Sequence, residues 1–148
     1  MHFEGAGQKT EVYVYTTKVG EHVGGYDEWT VDITDAVKDF MQTELFEKAF
    51  EGKVPIAIRC DNSRDLELIP SDLSDFNLYG GIYRYLNLVY VPQLSVDKVF
   101  AHASVDAKGR EGELNIRIRL HNSEEVSEGT VEVLLTDPKG KVVAKHQT

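Results

Sequence analysis

Hydrophobic side chains in this chain return with a period of two. Val12 and Val14 alternate with Glu11, Tyr13 and Tyr15, and Val31 and Ile33 alternate with Thr30 and Asp32. Ile56, Ile58 and Cys60 obey the same rule, as do Leu114, Ile116, Ile118 and Leu120 against Asn115, Arg117, Arg119 and His121. Val131, Val133 and Leu135 add another set. Successive side chains of a strand point to opposite faces, so each set predicts a strand with one buried face. A chain dominated by this period is expected to be all-β.

One segment departs from it. Over residues 36–50, Val37, Phe40, Met41, Leu45 and Ala49 recur every three or four positions, which predicts one short amphipathic helix. Thr34 or Asp35 can cap its start and Gly52 can close its end. Its apolar stripe is expected to cover an open side of the sheets. The turns are also legible. Asp137-Pro138-Lys139-Gly140 suits a type I turn, Lys108 to Gly112 links two strands, and residues 122–129 read as a polar loop.

The composition shifts near Val91-Pro92-Gln93-Leu94-Ser95. Nearly all aromatics and both glycine pairs lie before it, and plainly alternating strands with charged outer faces follow. The expected domains are residues 1–92 and 93–148. The second offers three or four strands, whereas an immunoglobulin-like sandwich has seven over about 100 residues. The first begins on a strand almost at once. Both ends read as cut, and the chain as a piece of something longer.

The formal net charge of −9, with Lys and Arg scattered, argues against a nucleic-acid surface, which needs a basic face to neutralise phosphates. No apolar run approaches the roughly 20 residues of a membrane-spanning helix. The single cysteine, Cys60, excludes an internal disulfide. In phase with Ile56 and Ile58, it is expected to be a buried core thiol. His2, His22, His102, His121 and His146 lie far apart, without zinc-ligand spacing. No metal or cofactor is expected.

Two glycine pairs flanked by tyrosines stand on either side of this strand-rich stretch. The first is Gly24-Gly25-Tyr26, preceded by Val19-Gly20-Glu21-His22-Val23 and followed by Asp32-Ile33-Thr34. The second is Gly80-Gly81 within Asp75-Phe76-Asn77-Leu78-Tyr79-Gly80-Gly81-Ile82-Tyr83-Arg84. With Val12-Tyr13-Val14 and the strand ending Cys60-Asp61-Asn62, they resemble the N-terminal jelly-roll domain of glycoside hydrolase family 2, in that family's order. The family includes β-galactosidases, β-mannosidases and β-glucuronidases. The resemblance implies a galactose-binding-domain-like jelly roll, then an immunoglobulin-like sandwich that residues 93–148 would begin, then a (β/α)₈ barrel beyond them. There are three departures. Tyr15-Thr16 stand where the family usually has Asn-Gly, Trp29 stands where it usually has Phe, and the helical segment makes the span from Asp35 to Val54 longer than in most members.

The resemblance places both catalytic glutamates of the retaining reaction on the barrel, so no catalytic residue is expected here. Glu44, Glu47 and Glu51 read as a solvated helix face, and Glu124 and Glu125 as loop residues. Asp75 matches by position an aspartate that reaches into the family's active site and binds a sugar hydroxyl, with Asn77 as a weaker assistant. A carboxylate can accept two hydrogen bonds from a vicinal diol. The plainer alternative for Asp75 is a turn aspartate accepting backbone N–H groups. Tyr26, Trp29, Tyr79 and Tyr83 are expected mainly to pack, with sugar stacking as the alternative. Arg84 could pair with a carboxylate at a domain junction, and His22 is expected to bond locally.

The resemblance implies a non-catalytic region of a retaining exo-β-glycosidase, β-galactosidase-like, that packs on its own barrel and meets carbohydrate substrate. No nucleic-acid or membrane partner is expected, and exposed edge strands make pairing between copies conceivable. A free-standing carbohydrate-binding module and a purely structural interaction domain stay open as alternatives.

Overall fold

Val12 and Val14 sit at the centre of the first of two units into which the chain divides, Met1–Val89 and Tyr90–Thr148. The structure, a computed structural model, describes residues 1–69, 71, 73, 75–122 and 128–148. In the first unit, strand β2 (Lys9–Val14) runs between β3 (Thr17–Val23) and β5 (Ile56–Asp61), antiparallel to both. Its inward residues Thr10, Val12 and Val14 are buried and its outward residues Lys9, Glu11 and Tyr13 are half-exposed, as the alternation predicts. A second sheet sets β1 (His2–Phe3) between β4 (Trp29–Thr30) and β6 (Leu86–Asn87). Phe3 and Ala6 from this side join Val12, Val14, Val31, Ile33 and Phe40 in one core. Val31 and Ile33 are buried with Asp32 exposed between them, although the paired strand ends at Thr30. The Val31 amide extends the contact by donating to the Met1 carbonyl.

The helical segment folds as two helices where the sequence predicts one. Helix α1 spans Thr34–Met41 and α2 spans Glu44–Lys48. Thr43 between them is extended (φ −81°, ψ 151°), and its hydroxyl donates to the Phe40 carbonyl at 2.8 Å. A threonine hydroxyl that takes a carbonyl of the preceding turn competes with continuation of the helix. The break resets the helical phase. Val37 and Phe40 keep their inward positions, but Phe46 and Phe50 then pack on the core, and Met41, Leu45 and Ala49 are exposed. The start also differs from expectation. Ile33 is the N-cap residue, and Asp32 Oδ1 accepts from the Thr34 amide at 2.9 Å and from its hydroxyl at 2.6 Å. The far end is capped at Ala49, whose amide donates to the Leu45 carbonyl, and Gly52, the expected closing residue, lies three residues further on at φ +72° with its amide donating to the Phe46 carbonyl at 2.8 Å.

Tyr15, the first turn residue between β2 and β3, is a non-glycine residue at φ +52°. Such a conformation costs roughly 1–3 kcal/mol and persists only where the surroundings hold it. Here the Tyr15 ring lies against Phe40 (5.3 Å between centroids) and edge-on to Phe50 (5.7 Å). The longer helical segment therefore explains how tyrosine can occupy a place where the resembling family usually has Asn-Gly. Trp29 stacks on Phe3 at 4.3 Å and on His22 at 5.0 Å. Its indole N–H is buried without an acceptor among the described residues. Cys60 is half-buried, not fully buried, because β5 is an edge strand of its sheet.

The second unit is two antiparallel pairs. Strands β7 (Leu94–Val105) and β8 (Gly112–Asn122) run in register from Leu94 opposite Asn122 to Val105 opposite Gly112, with a bulge between Val96 and Lys98. Strands β9 (Glu132–Thr136) and β10 (Val142–Gln147) form the other pair. Aspartates build both connections. Asp106 Oδ1 accepts from the Arg110 and Glu111 amides, which holds its carboxyl below the usual range. Asp137 Oδ1 accepts from Lys139 and Lys141, and the Gly140 amide donates to the Asp137 carbonyl at 2.9 Å, closing the expected turn. Ile116 and Ile118 are only half-buried, and Leu114 and Leu120 are exposed. The alternation is present, but a single layer cannot bury its own apolar face. The fold is all-β with two short helices. Glu124 and Glu125 lie outside the described residues.

A charge network covers the outer face of β3-β2-β5. Lys18 Nζ donates to Glu11 at 2.7 Å and to Glu21 at 2.8 Å, and the Tyr13 hydroxyl and Arg59 also donate to Glu11. These hydrogen bonds, that of Lys18 first, lower the Glu11 pKa from 4.5 to about 2. A carboxylate depressed on folding stabilises fully above its unfolded pKa, and that contribution fades as pH falls towards its folded value. The urea midpoint should thus drop between pH 5 and pH 2 by less in Glu11→Gln than in the parent chain, and equal drops would show that the network contributes nothing. Phe3→Ala, which empties a fully buried site, is expected to cost about 3–5 kcal/mol in urea unfolding. A cost under about 1 kcal/mol would remove Phe3 from the core.

Candidate functional site

Residues 4–8 bring the two glycine–tyrosine segments to one place. The Glu4 amide donates to the Tyr85 carbonyl at 3.0 Å, Gly7 to Gly81 at 2.6 Å, and Ala6 bridges Ile82 in antiparallel fashion. The other segment joins the same stretch, since the Gly24 amide donates to the Gln8 carbonyl at 2.8 Å. Two glycines are required by conformation. Gly24 has φ +146° and Gly81 has φ +72°, both in the region that disfavours a Cβ. A side chain at position 24 would also meet Asp27 and His22. The glycine pairs therefore serve backbone geometry, as their setting between strands implies.

The tyrosines knit the two segments. The Tyr83 hydroxyl donates to the Gly25 carbonyl, and the Tyr26 hydroxyl donates to the Asn77 carbonyl. Tyr79 stacks on Tyr83 at 5.0 Å, and Tyr26 lies 6.1 Å from Tyr83 and 6.4 Å from Phe76. Packing is the principal role of Tyr83, as expected. Tyr26 and Phe76 keep 51% and 66% of their surface exposed. Trp29 is stacked within the unit and offers no face to a sugar. Spacing alone did not reveal the two phenol–carbonyl bonds, because sequence alternation reports burial and not hydroxyl direction.

Asp75 and Asn77 stand at the head of this loop and are both exposed. The Asn77 amide nitrogen donates to the Tyr79 hydroxyl at 3.2 Å. Asp75 has no hydrogen-bond or ion-pair partner among the described residues. Nearby carboxylates behave otherwise. Asp61 accepts from the Ser63 amide at 2.8 Å, and Asp65 accepts from the Glu67 amide at 3.0 Å and meets Lys9 at 2.5 Å. Those bonds hold both carboxyls below the usual range, through the Ser63 side chain and amide for Asp61 and chiefly through Lys9 for Asp65. His22 Nε2 lies 3.1 Å from Asp27 Oδ2, an ion-pair contact when the ring is protonated, but makes no hydrogen bond among the described residues. The Arg84 amide donates to the Gly5 carbonyl, and its side chain has no carboxylate partner among the described residues. Among the described residues no group of His, Cys, Asp and Glu is arranged to hold a metal ion.

No protein-family model matches the chain. Solved structures do. The β-glucuronidase of Parabacteroides merdae is 54% identical over 99% of this chain, with a TM-score of 0.94. β-Glucuronidase 3 of Bacteroides uniformis is 52% identical over 99%, with a TM-score of 0.90. The chain belongs to glycoside hydrolase family 2. A β-galactosidase of Thermoanaerobacterium thermosulfurigenes is also similar, 30% identical over 97% of the chain. The chain spans about a fifth of each relative, 19% of the Parabacteroides protein, 18% of the Bacteroides protein and 19% of the galactosidase. Within family 2 the matched part is thus a minor share of a larger polypeptide.

Removal of the Gly81 freedom should be felt at this site. Gly81→Ala meets no atom within 4 Å, so its cost is that of a Cβ at positive φ, roughly 1 kcal/mol. Urea unfolding would measure it, and an unchanged midpoint would show that the second glycine pair is not conformationally required.

Proposed function

We propose that this chain is a non-catalytic part of a longer, retaining exo-β-glycosidase, and that Asp75, assisted by Asn77, holds hydroxyls of the terminal sugar. The observation that supports this most is the state of the Asp75 carboxylate. It is exposed beside the exposed aromatic surface of Tyr26 and Phe76, and its lone pairs are not taken by described residues. A turn-forming aspartate would use them on backbone amides, as Asp61 and Asp137 do. In this reading residues 1–92 are the jelly roll and residues 93–148 begin the immunoglobulin-like sandwich. The two catalytic carboxyls, about 5–5.5 Å apart in a retaining enzyme, belong to a barrel elsewhere in the longer polypeptide.

The sugar we favour is a β-linked glucuronide over the β-galactoside that the resemblance suggested. Two solved relatives that share more than half of its residues, those of Parabacteroides merdae and Bacteroides uniformis, are named β-glucuronidases. Like charges repel, so Asp75 would face the hydroxyl edge of a glucuronate and not its carboxylate. Asp75→Asn in the longer enzyme removes charge-assisted hydrogen bonds worth about 1.5–3 kcal/mol, a loss of roughly 10- to 150-fold in kcat/KM for nitrophenyl β-glucuronide. Unaltered kinetics would sink the sugar contact. Nitrophenyl β-galactoside should turn over more slowly than the glucuronide, and the reverse order would restore the galactosidase reading. The 148-residue chain by itself is expected to hydrolyse neither.

The exposed Tyr26 and Phe76 also keep a binding-module reading in play, since sugars stack on open aromatic faces. Calorimetric titration of the chain with glucuronate and galactose separates the two. Saturable binding favours the module, and silence favours a site completed by another domain.

A further inference from the structure

We propose that Tyr26 and Tyr83 form a reciprocal clasp that aims Asp75, with Tyr26 as a positioning residue for the sugar contact. The proposal rests on the reading of Asp75 given above. Each tyrosine donates its phenol to a backbone carbonyl of the other glycine–tyrosine segment. Tyr26 reaches forward 51 residues to Asn77, and Tyr83 reaches back 58 residues to Gly25. The two bonds run in opposite directions between the same two stretches of chain. Together they restrict both sliding and rotation of one against the other, which a single bond does not.

The position of Asp75 needs such a device. Between β5, which ends at Asp61, and β6, which starts at Leu86, the described residues form no paired strand beyond the Ala6–Ile82 bridge. The amides of Ser63, Glu67 and Leu73 donate to side chains only two residues back. Bonds of that span shape a turn but cannot fix it against a sheet. Hydrogen bonds and ion pairs from the rest of the unit do so, among them Lys9 to Asp65, the Glu4 amide to the Tyr85 carbonyl, the Gly7 amide to the Gly81 carbonyl, Tyr83 to Gly25, and Tyr26 to Asn77. The last of these is nearest to Asp75 in sequence, two residues away. Tyr83 anchors the other half of the clasp against the backbone, since its ring lies where a Cβ on Gly5 would sit, 2.9 Å from the ring carbon Cζ. Burial raises the Tyr83 pKa first among several causes, so its phenol stays a donor over the whole neutral range.

The geometry separates the two tyrosines in role. Tyr83 holds Gly25 in place, and Tyr26, carried on the next residue, holds Asn77. Loss of the Tyr26 hydroxyl leaves its ring packing on Phe76, Tyr79 and Tyr83 intact and frees only the Asn77 carbonyl. Asp75 would then sample directions away from the sugar, which weakens the contact without removing it.

The test uses the longer enzyme that carries this chain, in four forms: unaltered, Tyr26→Phe, Asp75→Asn, and both together. Tyr26→Phe should lower kcat/KM roughly 3- to 10-fold in the unaltered background, as expected for one neutral hydrogen bond. It should change nothing further once Asp75 is asparagine, because a residue that acts through Asp75 has no lever without it. Full additivity of the two changes would overturn the positioning role. Hydrogen exchange followed by mass spectrometry on peptides covering residues 75–84 provides a readout that does not depend on sugar. Tyr26→Phe should speed exchange there, and Tyr83→Phe should do so in peptides covering residues 20–30 as well. Unchanged exchange in both variants would overturn the clasp. Faster exchange with an inert Asp75→Asn would overturn the sugar contact and the positioning role while leaving the loop lock standing, so the two failures are distinguishable.

Discussion

The pairing of residues 4–8 with both glycine–tyrosine segments is the constraint on which the first unit depends. Gly7 and Gln8 sit at the entry to β2, whose next inward residues, Thr10, Val12 and Val14, are buried in the core. Thr10 reinforces that entry by donating its hydroxyl to the Gly7 carbonyl at 2.8 Å. The same short stretch therefore carries main-chain bonds to the loop that bears Asp75 and leads directly into the best-buried strand. Backbone groups buried without partners are costly, so a stretch this deep must find its partners in other segments. The loop gains its place from that need, and the candidate site inherits its frame from the core.

The substitutions relative to family expectation are explained by local chemistry of the same kind. Tyr15 holds a positive φ because Phe40 and Phe50, supplied by the longer helical segment, receive its ring. Trp29 gives a broader stacking surface to Phe3 and His22 than phenylalanine would, and carries a buried N–H with no acceptor among the described residues. One change adds contact area against backbone strain, and the other adds it against an unmet donor. Trp29 fills the Phe3 side of the core, and Tyr15 covers Phe40.

Much of the architecture was legible in the residue order. The alternation around Val12 and Val14 marked a strand with the correct inward face, and Asp137 to Gly140 marked a turn that closes by the expected hydrogen bond. The helix breaks where two physical rules compete. Periodicity carried it through residue 43, but the Thr43 hydroxyl takes the Phe40 carbonyl and ends the turn. Cys60 is shallower than its phase implies, because alternation reports a face and not whether the strand is central or at an edge. In the second unit the same limit applies to Leu114 and Leu120, whose inward phase does not by itself supply an opposing layer. Asp75 and Asn77 were found by resemblance, and the structure adds that both are exposed at the head of a loop tied down by aromatic side chains.

By itself the sequence determined the all-β class, the strand faces, most turns and the family, because these follow from local periodicity, from residues with special backbone freedom and from motif order. Only the tertiary structure decided that Tyr26 meets Asn77, that Tyr83 meets Gly25, and that residues 4–8 lie between the two segments. Those contacts join residues well separated along the chain, most of them some 50 or more positions apart, or depend on where a hydroxyl points. Nothing local in the chain encodes either, since each becomes favourable only after the core has brought the segments together.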